Sequence, residues 1–496
     1  MSKIAHLLIA SASALLLGGL TAQAFDTAEA QKRFNAMPDW NDTISGAPYD
    51  YTATMKPERP YMHQYDKLMM HKFFMARPDQ KGGSNVGINF EEALEMIKGL
   101  DRISRGVPKI VYLVGWQFEG HDCKYPAFDR FNEALKRPQD ATARDSYRWL
   151  REEAKKYNTT VSVHVLVQDA EPDSPLWKEY SENDFICRDT DGNLITRAVF
   201  NGQPMYDVNI ANEWQKGFLQ KRLDGLIELV ELKDAGTMHC DAYYARMSPG
   251  NGQNMAQQEE AMRKMLRYMR NKGVDVTIEF IHNGQRCDPM IGLSPAAWWL
   301  DLSGAERAKI PASLLAGGQE GKFGKLWLKE TFLFGDNYQA EDDFNFVDLH
   351  KDKNWAEAWN RAKLGVATRT LPYLFYNTLK LENYDEANER VYYSDSVVTD
   401  WKAKTVKQGD TLLRQGNDVF FPVVWRQDGR EIMAYSQDGY QNRTWKLPKG
   451  WSDVKAVMVT PVEPDGEGTA QKIKVTDGAV TLTLAPNTIL SVVPAK

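Results

Sequence analysis

The sequence predicts an α/β fold, a (β/α)8 TIM-type barrel followed by a small C-terminal all-β sandwich. Three observations carry this. Runs such as KIVYLVGWQ (109–117) and TTVSVHVLVQDAE (159–171) are too continuously apolar for half-exposed strands and read as buried parallel ones. Strand and helix patterns alternate over roughly 270 residues, as a parallel sheet requires. Beyond about residue 395 only strand patterns remain.

The chain opens with Lys3, an apolar segment from Ile4 to Leu20 and the small-x-small site Thr-Ala-Gln-Ala at 21–24. These are the parts of a secretory signal peptide cleaved after Ala24, so export to the periplasm or beyond is expected. Residues 25–60 are polar, hold Pro38, Pro48, Pro57 and Pro60, and read as an irregular lead. The barrel is assigned to 61–394 and the sandwich to 395–496. No later run reaches the roughly eighteen uninterrupted apolar residues of a membrane span.

Within the barrel, FEEALEMIKGLDRI (90–103) sets Phe90, Ala93, Leu94, Ile97 and Leu100 on one helical stripe. The run 109–117 is the first predicted strand. Residues 142–157 are helical, 159–171 a strand, MYDVNI (205–210) a shorter strand and 212–232 a helix. GTMHCDAY (236–243) is the next strand, 255–272 a helix and VDVTIEF (274–280) a strand. WWLDL (298–302) and KLWLKETFLF (325–334) are further strand candidates, and 353–370 is a helix. A closed barrel is favoured over an open doubly wound sheet because polar residues gather at successive strand ends. A glycine-rich nucleotide turn after the first strand is missing as well. DVFFPVVWR (418–426), EIMAYSQ (431–437), VKAVMVTPV (454–462), QKIKVTD (471–477) and AVTLTLAPNTILSVVP (479–494) supply the sandwich.

A formal net charge of −6 gives no basic footprint, so nucleic acid is not an expected partner. The 14 Trp and 21 Tyr are an aromatic surplus, which in an exported protein serves either core packing or sugar stacking. Export permits disulfides among Cys123, Cys187, Cys240 and Cys287, but their wide spacing resembles no zinc site. There is no HExxH motif, and no cofactor or metal is expected. Asp189-Thr-Asp-Gly-Asn193 resembles part of a calcium loop, but an Asp-Gly turn explains it better.

Chemistry is expected at the strand ends. In GTMHCDAYYAR (236–246), Thr237, His239 and Asp241 share one face, while Met238 and Cys240 take the other. In VDVTIEF, Thr277 and Glu279 share a face opposite Val276, Ile278 and Phe280. The apolar set fits packing on helices, which leaves Glu279 at the mouth beside the strand of Asp241. Carboxylates on neighbouring strands, about 4.8 Å apart, can reach the separation of about 5–5.5 Å that marks a retaining glycosidase. One would attack the anomeric carbon; the other would protonate the departing oxygen and then deprotonate water. The competing reading is a buried ion-pair network. In GWQFEGHDCKYPAF (115–128), Trp116, Gln117, His121, Asp122 and Lys124 crowd one loop, the mixture a sugar pocket needs. His164 repeats the theme on the next strand, Trp298 and Asp301 stand near a later one, and His239 and Tyr243 are candidates to support Asp241.

VYLVGWQ-x-x-GHD-x-KYPAF (111–128), HCDAYY (239–244) and TIEF (277–280) resemble glycoside hydrolase family 101, the endo-α-N-acetylgalactosaminidases. The likeness runs over roughly residues 60–380. It implies a retaining, metal-independent hydrolase that removes Galβ1-3GalNAc from Ser or Thr of mucin-type glycoproteins. It further implies Asp241 as nucleophile and Glu279 as acid/base, with Asp122, His121 and Trp116 in the sugar pocket. An O-glycosylated glycoprotein or oligosaccharide is then the expected partner. Beyond the barrel and one C-terminal sandwich the family's several accessory modules are not expected here, so contacts those modules supply do not carry over. An α-glucan-type retaining hydrolase and a non-catalytic glycan-binding protein are the alternatives.

Overall fold

The computed structural model describes residues 60–79, 81–280, 290, 292–300, 302–318, 326–339, 355–426 and 430–495. Residues 1–59, which hold the predicted signal peptide and most of the lead, lie outside the described residues, as do Cys287 and Asp301.

Seven parallel strands, neighbours in chain order, form a nearly closed barrel sheet. They are β1 (Met69–Phe74), β2 (Lys109–Val114), β3 (Thr159–Val165), β4 (Thr237–Cys240), β5 (Asp275–Phe280), β6 (Ala296–Trp299) and β7 (Ala316–Gly318). Among the described residues the count is seven, where eight were expected. The extended segment 335–339 stands where an eighth strand would close the ring. Its Asn337 N–H donates to the Gly317 carbonyl at 2.9 Å, and its Tyr338 ring lies 6.0 Å from His71 on β1. Two expectations are corrected. The first barrel strand is β1, ahead of 109–117, and KLWLKETFLF is not a strand but contains the helix Leu326–Phe334. That run is apolar without a period, so pattern cannot separate a buried strand from a buried helix. The helix is held from outside the barrel, since Leu333 O accepts from Tyr393 Oη and Thr399 Oγ1.

Alternation along the strands sorts the two faces. Val111, Leu113, Val161, Val163, Met238, Cys240, Val276 and Ile278 point outward into the main core. There they meet the amphipathic helices α1 (Phe90–Ile103), α2 (Ala143–Lys155), α3 (Phe218–Leu229) and α4 (Met255–Asn271). Capping boxes begin α1 at Asn89, α2 at Thr142 and α4 at Asn254, satisfying backbone N–H groups that a helix start leaves open. The stretch 212–232 is broken at Gly217 and Glu231, both in the left-handed region. Inside the barrel, Met70, Ile110, Tyr112, Ala296, Trp298 and Ala316 pack around Tyr65. The segment before β1 seals the N-terminal end: Asp275 Oδ2 accepts from Met62 N at 2.7 Å and Tyr65 Oη at 3.0 Å.

MYDVNI contributes to a strand, Gln203–Asp207, but not to the barrel. It pairs with Thr196–Phe200 and Asp169–Ala170 in a three-stranded antiparallel sheet that grows from the loop after β3. The Asp189–Asn193 stretch is a turn in which Asp189 Oδ1 accepts the Asp191 and Asn193 N–H groups, as the Asp-Gly reading has it. The C-terminal part is an antiparallel sheet of 11 strands beginning at Leu381. One face (Val419, Phe421, Met433, Tyr435) joins the main core. The other is covered by the ribbon Tyr440–Lys446/Ala479–Leu484, where Trp445 stacks on Phe420 at 5.2 Å.

Candidate active site

The mouth of the barrel is built at the C-terminal ends of β1 to β5. The register pairs Thr277 with His239 and Ile278 with Cys240, so the next residues, Glu279 and Asp241, end adjacent strands side by side. Asp241 is set by its own N–H, which donates to Val165 O at 2.9 Å. The chain then turns at Ala242, φ 45°, and the Ala242 N–H donates to Glu279 Oε2 at 2.9 Å. The two carboxylates are therefore coupled through one backbone turn.

Asp241 sits in a cluster of cationic and imidazole groups. Lys72 Nζ is 3.3 Å from Oδ1, His164 Nε2 3.3 Å from Oδ2 and His239 Nε2 3.8 Å from Oδ1. Burial would raise the Asp241 carboxyl, but Lys72 and His164 outweigh it and hold the group well below the usual carboxylate range. Burial pushes His164 down to about 4 against the pull of Asp241, so its imidazole is neutral at neutral pH. His239 is held well below the ordinary imidazole value, by burial and then by Lys72, and its Nδ1 lies 2.9 Å from Thr277 Oγ1. His164 and His239 stack at 5.3 Å, and Trp298 meets His239 edge-on at 5.4 Å. His164, His239 and Asp241 bring three donor atoms within 4.8 Å of one another. An ammonium 3.3 Å from the same carboxylate already supplies its counter-charge and repels a cation, so this donor set does not fit a resident metal.

The GW-x-x-GHD loop is pinned by close backbone approach. At Gly115, φ 75°, a Cβ would fall 2.1 Å from Ala76 O, the carbonyl that accepts the His121 N–H at 2.9 Å. His121 and Asp122 are thereby brought to the mouth. His121 lies edge-on to Phe74 and His164 at 5.0 and 5.2 Å, and its Nε2 is 3.3 Å from Asp122 Oδ1. Burial, opposed by His121, raises the Asp122 carboxyl, with Asp169 and Asp241 adding to the rise.

The same loop corrects several expectations. Trp116 is fully buried on the outer side, with Nε1 donating to His164 O at 3.0 Å and Phe131 packed against it at 5.1 Å. It is a packing residue, not a sugar platform. Gln117 is buried and donates to Tyr125 Oη, and Lys124 pairs with Asp173. Tyr243 points away from Asp241, donating to Met262 O at 2.8 Å against α4. It does not support Asp241 as expected. Trp298 lies inside the barrel beneath the mouth.

Several site residues escaped the sequence reading. Lys72 stands out only as a cation inside the apolar run MMHKFF. Asp169, Asp207, Arg197 and Arg246 form a buried network at the base of the three-stranded sheet. Arg246 Nη1 is 2.8 Å from Asp169 and 2.9 Å from Asp207, and its Nη2 donates to Ala242 O at 3.1 Å. Arg197 adds a second pair to Asp169 at 2.5 Å. At the far tip of this sheet, Asn201 Nδ2 donates to Asp122 O at 2.7 Å. The sheet thus walls the mouth between the loops of Asp122 and Asp241.

No curated protein matches the chain. Among solved structures, the ligand-free alpha-N-acetylgalactosaminidase of Bifidobacterium bifidum is similar with a TM-score of 0.51 and 11% identity, over 77% of this chain and 63% of that one. Its GalNAc complex gives 0.50 and 10%, with the same coverage. At such identity the likeness is one of fold, and this chain spans 63% of that protein's length. The family model described as endo-alpha-N-acetylgalactosaminidase matches residues 68–289, from β1 through β5 and both strand-end carboxylates. The resemblance carried by the three motifs is thereby shown, and it is to glycoside hydrolase family 101.

Proposed function

We propose that the protein is an exported retaining glycoside hydrolase that cleaves α-linked N-acetylgalactosamine of mucin-type O-glycans, releasing Galβ1-3GalNAc from Ser or Thr. Asp241 is the nucleophile and Glu279 the acid/base. The observation that carries the reading is the pairing of an Asp held ionised by Lys72 and His164 with a Glu on the adjacent strand end. A double displacement needs a charged carboxylate to attack the anomeric carbon and a neighbouring acid to protonate the leaving oxygen. The family-model match over 68–289 supports the substrate class. So does the fold likeness to a protein named for α-N-acetylgalactosaminidase activity.

The test is incubation of purified protein with an O-glycosylated mucin and identification of the released sugar. The disaccharide is expected from wild type, with its release abolished in Asp241→Asn. Free GalNAc or galactose means exo action, and no release favours a glycan-binding protein. Full activity in Asp241→Asn refutes the assignment of the nucleophile. Preference for an aryl α-glucoside over the aryl core-1 disaccharide turns the reading to an α-glucan hydrolase.

A further inference from the structure

The three-stranded sheet beside the mouth carries exposed apolar side chains at its tip. Thr196–Phe200 and Gln203–Asp207 are joined by Asn201-Gly202, both left-handed at φ 50° and 78°, the two-residue turn that suits a hairpin. Two of the four large apolar side chains exposed among the described residues lie here, Val199 at 67% and Phe200 at 38%. The turn is also tied down. Asn201 Nδ2 donates to Asp122 O at 2.7 Å and to His121 O at 3.2 Å, which fixes the tip on the loop that lines the mouth.

The pairing sorts the two faces of this hairpin. Ala198 stands opposite Met205 and Phe200 opposite Gln203, so these four share one face, and Asp207 continues it. That face is turned to the active site. Met205 packs with Tyr125, Leu166 and Ala242, and Asp207 meets Arg246, which holds Ala242 O. Val199, Pro204 and Tyr206 take the other face, where Tyr206 packs against Trp177 at 5.2 Å. Phe200 and Gln203 therefore extend the wall outward from the level of Met205 and Ala242, by about 7 Å for two residues of strand.

We propose that Phe200 and Gln203 form the subsite for the sugar beyond the scissile GalNAc, the galactose of the disaccharide. The inference rests on the reading of the protein as a core-1 hydrolase with Asp241 as nucleophile. The Phe200 ring offers a flat apolar surface to the C–H face that a galactopyranose presents at C3, C4 and C5. The Gln203 amide beside it offers donors and an acceptor to the hydroxyls. Sheet order selects this end of the substrate. The hairpin belongs to the loop after β3, Asp241 ends β4 and Glu279 ends β5, so the hairpin and Glu279 flank Asp241 on opposite sides. The leaving oxygen and its peptide lie on the side of Glu279, and the sugar being transferred, with its galactose, lies towards the hairpin.

The test compares wild type, Phe200→Ala, Phe200→Tyr and Gln203→Ala as full chains on the aryl core-1 disaccharide and on a core-1 glycopeptide. Free Galβ1-3GalNAc and free GalNAc serve as competitive inhibitors. Phe200→Ala should raise KM for the aryl disaccharide about tenfold, the upper range for one aromatic contact. Its kcat should hold, the pattern of binding lost equally from ground and transition state. The inhibition constant of Galβ1-3GalNAc should rise in step while that of GalNAc stays put. Phe200→Tyr keeps the ring and should restore both values, and Gln203→Ala should raise KM by a smaller factor. An unmoved KM in Phe200→Ala, or equal shifts for the two inhibitors, overturns the proposal. So does a loss confined to the glycopeptide, which places the ring on the peptide side. Failure of wild type to release the disaccharide sinks the substrate reading itself, whereas release with an unmoved KM in Phe200→Ala sinks only the subsite.

Discussion

The Ala242 N–H donates to Glu279 Oε2 at 2.9 Å, so the residue after Asp241 positions the neighbouring carboxyl. Ala242 makes this bond from a left-handed φ of 45°, and Arg246 holds its carbonyl from the other side. A Glu279→Gln variant retains the geometry, because an amide oxygen accepts the same N–H, but it cannot deliver a proton. Its kcat/KM on natural O-glycans should fall by about 10²–10⁴, the usual worth of general acid–base catalysis. Aryl glycosides with good leaving groups should lose far less. Equal losses on both substrates would show that Glu279 does not protonate the leaving oxygen.

Trp116 and Trp298 should separate cleanly on substitution. Trp116 is buried against Phe131 and spends its N–H on His164 O. Trp116→Phe keeps most of the packing and loses that bond, which should cost about 1–2 kcal/mol. The melting temperature should fall and KM should hold. Trp298 lies under Lys72 and beside His239, so Trp298→Phe should change kcat. A raised KM at unchanged melting temperature in Trp116→Phe would put that ring back in the sugar pocket.

What the sequence disclosed follows from where period and sheet geometry act alone. VDVTIEF alternates strictly, and the structure puts Val276 and Ile278 on the helices and Thr277 and Glu279 inside. GTMHCD does the same for His239 and Asp241 against Met238 and Cys240. The GW-x-x-GHD loop has no period, so composition could not tell that Trp116 turns outward while His121 turns in. Lys72 was hidden for a different reason. A lysine in MMHKFF looks like a solvated residue, and only a carboxylate arriving from β4 across the lumen makes it a buried ion-pair partner.

Glu171 gives a pH dependence whose sign can be worked out. Burial first, then Asp173 and Asp122, raise its carboxyl from 4.5 to about 8, and its Oε1 is buried with no hydrogen-bond partner among the described residues. The folded state therefore binds a proton that the unfolded state releases between these values. The contribution to stability is fully present below about pH 4.5 and is lost as pH rises through about 8. Glu171→Gln is neutral throughout that window. It should leave the melting temperature unchanged at pH 4 and raise it by several degrees at pH 9. A shift of equal size at both pH values would mean that Glu171 does not titrate in this way.

Arg246 is the remaining test, because it ties the wall of the mouth to the turn after Asp241. Its guanidinium reaches Asp169, Asp207 and the Ala242 carbonyl together, which only a planar fork of donors can do. Arg246→Met would leave Asp207 without its nearer cation, since Arg197 lies 3.7 Å away, and would free the turn that orients Glu279. Losing one partner of such a buried network costs about 3–5 kcal/mol. Both a lower melting temperature and a lower kcat are expected. Arg246→Lys should recover part of the stability by restoring the charge. It should recover little of the kcat, because a single ammonium cannot hold Asp169, Asp207 and Ala242 O at once. Full recovery of kcat by lysine would show that the charge matters and the fork does not, and the turn would then need no orienting bond from Arg246.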